Sequence, residues 1–122
     1  MADIAISQVK RNEAGEVTPV NGAATATIPY ARSDENIVVH ILNAGAQAAA
    51  VTFVAAGVGA GGLGNLAIAD IAQNDEFAVV LESSRFKNPT TQKVTVTTAV
   101  AEGGSVANVK FRILGLPKAL VD

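Results

Sequence analysis

The chain has 122 residues and a formal net charge of −2, a length that suits one domain and a charge that offers no basic stripe for nucleic acid. Hydrophobic residues make up 49% of it and aromatics only 4%, with four Phe, one Tyr, no Trp and no Cys. Disulfides, thiol chemistry and thiolate metal sites are thereby excluded, and a chain of this length can bury a core without them.

Much of the apolar content is Ala and Val, which predicts a thin core of small side chains between two close-packed sheets. The opening Met1-Ala-Asp-Ile-Ala-Ile lacks the basic region and apolar run of a secretion signal. No stretch approaches the ~18 consecutive apolar residues of a membrane span. The expectation is a soluble protein, with neither nucleic acid nor membrane as partner, that stays in the compartment where it is made.

In chain order, Ile4 and Ile6 alternate with Ala5 and Ser7 and lead to Val9, a short first strand within an arm of residues 1–10. Gly15 marks a turn. Val17 to Val20, interrupted by Pro19, reads as an edge segment because proline cannot donate to a ladder. Asn21-Gly22 is a turn dipeptide, and Ala23 to Ile28 alternates Ala with Thr as a strand does.

Ile37 to Leu42 is apolar at every position but His40, so this strand reads as covered on both faces. Asn43-Ala-Gly45 then turns the chain, and Ala48 to Ala55 reads as the returning strand of a hairpin. A glycine-rich loop follows at 57–64. Leu66 to Ile71 stays open: Leu66 and Ile68 alternate, but Asp70 and Ile71 break the phase.

The stretch Glu76 to Asn88 joins the densest apolar strand to the most charged loop. Phe77, Val79 and Leu81 share one side, and the strand reads as central, with both faces partly buried. Glu82, Arg85 and Lys87 bracket a polar turn that Pro89 closes. Lys93 to Val100 places Val94, Val96, Thr98 and Val100 on one face and Thr95 and Thr97 on the other. Gly103-Gly104 predicts a hairpin turn. Val109, Phe111 and Ile113 then point inward, Lys110 and Arg112 outward, and the out-of-phase Val106 predicts a bulge near Ala107-Asn108. About eight strands at turn spacings of roughly 8–15 residues, with little or no helix, give an all-β, antiparallel β-sandwich over residues 1–122 with a short tail at 116–122.

Few residues suggest chemistry. Gly57-Val-Gly-Ala-Gly-Gly-Leu-Gly64 matches Gly-x-Gly-x-x-Gly twice, with Glu82 about twenty residues past the second match. That pattern serves dinucleotides only where a helix follows and receives the pyrophosphate. Here residues 66–73 allow barely two turns, so a connecting loop is the better reading and a small nucleotide-binding enzyme the weaker one. His40, the only histidine, shares a strand face with Val38 and Leu42, which favours a structural role; no Gly-x-Ser-x-Gly elbow accompanies it. Asp34, Glu35, Asp70, Asp75, Glu76, Glu82 and Glu102 lack calcium-loop spacing and read as solvated charges. Glu82 with Arg85 or Lys87 serves either as a local salt bridge or at a subunit contact. Neither a catalytic residue nor a cofactor is expected.

Pro19-Val-Asn-Gly-Ala23, Ile28-Pro-Tyr-Ala31, Asp34-Glu35, Val38 to Asn43 and Leu81-Glu-Ser-Ser-Arg-Phe-Lys-Asn88, in that order, resemble a group of small β-rich virion proteins of tailed bacteriophages and prophages, the capsid decoration or head structural proteins. The last segment, followed by an alternating Val/Thr strand, is the most specific part, and the resemblance spans residues 17 to 116. It implies a jelly-roll-like sandwich. It also implies copies assembled as homotrimers on the outside of the head, made in the bacterial host cytoplasm and bound to the major capsid protein. On that view the contacts fall on Arg85, Phe86 and Lys87 and on Gly59, Gly61, Gly62 and Leu63, with loop 44–50 as a further surface. A tail or head-fibre component and a carbohydrate-binding β-sandwich are the alternatives, the latter with only Tyr30 as a sugar platform.

Overall fold

A computed structural model describes residues 2–8, 16–30, 37–56, 64–81 and 83–115. Its strands are β1 (Ala2–Asp3), β2 (Ile6–Gln8), β3 (Val20–Asn21), β4 (Thr25–Pro29), β5 (Ile37–Asn43), β6 (Ala49–Phe53), β7 (Leu66–Ile71), β8 (Glu76–Val79), β9 (Lys93–Val100) and β10 (Val109–Gly115). A single helical turn, α1 (Ser83–Phe86), and a 3-10 turn at Val106–Asn108 complete the described elements.

Sheet A has the order β1-β4-β9-β6-β7, and sheet B the order β2-β10-β5-β8 with β3 also on β10. The two sheets pack face to face as an all-β sandwich. Leaving aside the two strands of the N-terminal arm, the orders are β4-β9-β6-β7 and β3-β10-β5-β8. That interleaving is the double Greek key of a jelly roll. Pairing is antiparallel throughout except for β1 on β4 and β2 on β10, which are parallel. The arm thus extends an edge of sheet A and then continues sheet B. Its Asp3 accepts hydrogen bonds from the Thr27 hydroxyl and from Lys93 Nζ, at 2.9 Å for the latter. The Thr27 bond first, and the Lys93 ammonium second, hold the Asp3 carboxyl below its ordinary value.

The inner faces follow the period of two that the sequence shows. β5 and β10 alternate buried and half-buried along their whole length, with Ile37, Val39 and Ile41 facing the same interior as Val109, Phe111 and Ile113. Val94, Val96 and Thr98 on β9 meet them from sheet A. The core is less alanine-rich than composition suggests: of its 18 residues only Ala26 and Ala49 are alanine. Ile and Val predominate, and Tyr30, Phe53, Phe86 and Phe111 are all buried, each contributing on the order of 1.5–3 kcal/mol by its removal from water. Among the described residues most other alanines are exposed or half-buried, and Ala23 packs against the edge of the core.

Several expected pairings are corrected. Neither Asn43-Ala-Gly45 nor Gly103-Gly104 makes a hairpin. β5 and β6 lie in different sheets, as do β9 and β10, so both turns are arches across the sandwich. Gly and Asn report that the chain reverses, and the core decides which sheet receives it. Only β6 and β7, joined through the glycine-rich stretch, pair as sequence neighbours among β3 to β10. The bulge expected at Ala107-Asn108 is instead the 3-10 turn, whose Ala107 N–H donates to Ser105 Oγ, and the register shift falls between Ala49 and Val51 on β6. The strand opening at Glu76 is an edge and not a centre: β8 pairs only with β5, and Phe77 is 40% exposed. Phe77 sits opposite inward-facing Ile41, but no strand lies beyond it to complete its burial.

Three arches meet at Asn43, which is fully buried. Its Nδ2 donates to Gln47 O at 2.9 Å and Ile71 O at 2.8 Å, and its Oδ1 accepts from Gly45 N–H at 3.0 Å. Its backbone N–H donates to Asp75 O, and its carbonyl accepts from Asn74 N–H. Ala44 N–H donates to Asn108 O on the third arch. A Cβ on Gly45 would stand 2.9 Å from Asn108 Cβ, so glycine is required there.

Replacing Asn43 with Ala leaves a buried N–H and two carbonyls without these partners. We expect a loss of about 3 kcal/mol in urea unfolding and a fall in Tm of roughly 10 °C. A loss below about 1 kcal/mol would mean that water takes over the corner.

Candidate interaction surface

The charged segment after β8 folds into architecture. Leu81 is buried, and its carbonyl accepts from the Tyr30 hydroxyl at 2.9 Å. Phe86 is 3% exposed and belongs to the core, which takes this predicted contact residue off the surface. The Arg85 guanidinium lies over the Phe86 ring at 4.8 Å and donates to Gly64 O at 3.0 Å and Asn65 O at 3.4 Å. Its carbonyl accepts from Ala56 N–H. Arg85 therefore clasps both ends of the glycine-rich stretch. Lys87 forms a bridge to Val94, and Asn88 Oδ1 caps the following turn by accepting from Thr90 and Thr91 N–H. Gly59, Gly61, Gly62 and Leu63 lie outside the described residues, as does Glu82.

The glycine pattern finds no helix behind it. Gly64, at φ +71°, leads straight into β7, which pairs antiparallel with β6. The βαβ unit of a dinucleotide site is thus contradicted. Tyr30 is fully buried, which removes the one sugar platform considered. His40 sits on the outer face of β5, with Nε2 2.9 Å from Glu76 Oε1 and Arg112 directly across on β10. Among the described residues no three His, Asp or Glu side chains gather in a way that could hold a metal ion. No helix of the described residues is long and apolar enough to cross a membrane.

What the fold leaves uncovered is one flank. β7 ends sheet A, β8 ends sheet B, and the tight turn at Ala72–Asp75 joins them, so both edges face the same side. Phe77, and Val80 at 52% exposure, are the large exposed apolar side chains of the described residues. β7 carries neither Lys, Arg nor Pro, the residues that usually blunt an edge strand. Asp70, at φ +56°, accompanies the register shift and is its only charge. Beside it lies an open hollow of about 220 Å³ lined by six alanines, Val100 and Asp70. Composition could have flagged the hollow: the runs Ala48 to Ala50 and Ala99 to Ala101 hold only alanines and one valine, side chains too small to fill a surface.

Comparison with protein-family models, with curated proteins and with solved structures finds no match to the chain.

Removing the Arg85 clasp in Arg85→Ala should cost about 1–2 kcal/mol in denaturant unfolding. Amide exchange at Ala55, whose N–H donates to Asn65 Oδ1, should quicken at the same time. Arg85→Lys should recover little of either, because a point-like ammonium replaces a planar fork. An Arg85→Ala protein as stable as the parent would show the clasp to be incidental.

Proposed function

We propose that this chain is a structural protein of a tailed-phage virion that docks on the outer surface of the head and stabilises the shell through protein–protein contacts. Its work on this reading is interface free energy and not catalysis. Three things support it. The first is the resemblance carried by Leu81 to Asn88 and the segments before it. The second is the jelly-roll strand order, an architecture used by viral coat and lectin domains. The third, which carries the proposal, is the flank where two unpaired strand edges, Phe77, Val80 and an alanine hollow lie together.

Exposed apolar side chains beside an edge that carries no Lys, Arg or Pro suit a capsid subunit better than a small substrate. An edge strand offers main-chain donors and acceptors to an added strand, and a hollow beside it receives a side chain of that strand. The major capsid protein is the partner this reading assigns. Arg85 to Asn88 serve the fold beneath, so this reading moves the docking surface from that loop to the β7–β8 flank. A tail or head-fibre position would use the same surface against a different virion protein.

The test is co-sedimentation with expanded, undecorated heads of the phage or prophage that encodes the chain. Saturable binding is expected, and Phe77→Glu should weaken it by about 30-fold or more, as loss of a central anchor does, while lowering fold stability by no more than about 1–2 kcal/mol. A protein that ignores heads, or a Phe77→Glu protein that binds them as well as the parent, contradicts the proposal. Binding to tails alone would select the fibre reading.

A further inference from the structure

The outer face of sheet B mixes apolar and charged side chains, with Val38, Leu42, Leu114 and Val80 set among Lys110, Arg112, His40 and Glu76. The pairing registers lay it out as a grid. Lys110, Leu42 and Glu76 stand side by side across β10, β5 and β8; Arg112, His40 and Ala78 form the next row. Leu114 and Val38 form the third, and Val80, just past β8, continues it. Val38, Leu42 and Leu114 are only half-buried, and among the described residues the sandwich has no third layer to cover them. β5 thus carries Val38 and Leu42, beside His40, on a face that is open.

The grid is complementary to itself in one orientation. A two-fold axis lying over β5 and along its direction exchanges the β10 and β8 columns of the two copies. Glu76, bonded to His40 in its own chain, then stands opposite Lys110 of the second copy, whose Nζ donates to Asn21 Oδ1 and Ala107 O beside it. Arg112 lies over the small Ala78, and Leu114 meets Val80. Val38 and Leu42 each meet their own counterpart. A two-fold across the strands would instead set the charged row on the apolar one, leaving Glu76 and Lys110 against Val80 and Leu114. Charge and size therefore favour the first axis, and an isologous contact of this kind closes at two copies.

We infer that the outer face of sheet B is a self-association surface that pairs two copies of this chain face to face, about a two-fold axis along β5. This goes beyond docking on a shell and uses an adjoining surface that shares Val80 with the β7–β8 flank, so Glu76 and Lys110 separate the two readings. With strands ~4.8 Å apart and ~3.4 Å per residue, the residues of β2, β10, β5 and β8 together cover roughly 350 Å². A standard interface buries about 800 Å² per partner, so the pair should be weak and concentration-dependent. The contact is two-fold, unlike the three-fold assembly that the resemblance implies.

Sedimentation velocity over a concentration series tests it. The parent should pass from monomer to dimer. Glu76→Lys and Lys110→Glu should each shift the midpoint at least tenfold upward by setting like charges together, and the double exchange Glu76→Lys/Lys110→Glu should restore it. Val80→Lys, at a site already 52% exposed, should abolish the dimer while leaving the melting temperature unchanged. A protein monomeric to millimolar concentration, a trimer, or a dimer indifferent to these exchanges overturns the inference.

Discussion

One buried amide holds the sandwich closed. Asn43 uses both side-chain ends and both backbone groups to bind its own arch and the turn between β7 and β8, while its neighbour Ala44 reaches the arch before β10. In a jelly roll nearly every connection crosses from one sheet to the other, so backbone groups at the ends leave their ladders and still have to be satisfied. An unpaired buried amide would be costly here. Asn supplies two donors and an acceptor in one small side chain, which matches a corner that presents two carbonyls and one N–H.

The opposite end is closed by different means. Tyr30 reaches from the end of β4 to the Leu81 carbonyl, Phe86 fills the core beneath, and Arg85 ties the glycine-rich stretch to α1. Arg85 and Phe86 come from the segment that carries most of the charge near β8, yet they are turned to the fold. Function is left to what neither end covers: the β7–β8 flank and the outer face of sheet B.

Much of this was legible in the sequence. The strands β5, β9 and β10 could be read residue by residue because a period of two with large Ile, Val and Phe on one phase admits a single orientation. The sandwich class followed from turn spacing. What did not follow was partnership. Gly103-Gly104 and Asn43-Ala-Gly45 signal reversal identically whether the next strand pairs alongside or crosses over, because turn chemistry is local and sheet choice is not. Edge position was equally hidden: Phe77, Val79 and Leu81 alternate as a central strand would, and only the absence of a neighbour beyond β8 exposes Phe77. Phe86 failed for a related reason, since the charges around it suggested solvent while one helical turn directs it inward. In Ile37 to Leu42 one phase is the core and the other leaves Val38 and Leu42 half-buried beside His40, a difference that the residue types alone do not give.

The account divides the molecule into a closed corner and an open flank, and native-state amide exchange measures that division directly. The amides of Ala44, Gly45 and Asn74 should exchange only through global unfolding, while the unpaired edge of β7 exchanges by local fluctuation with a far smaller free energy. Corner amides that exchange as readily as those of the β7 edge would contradict it.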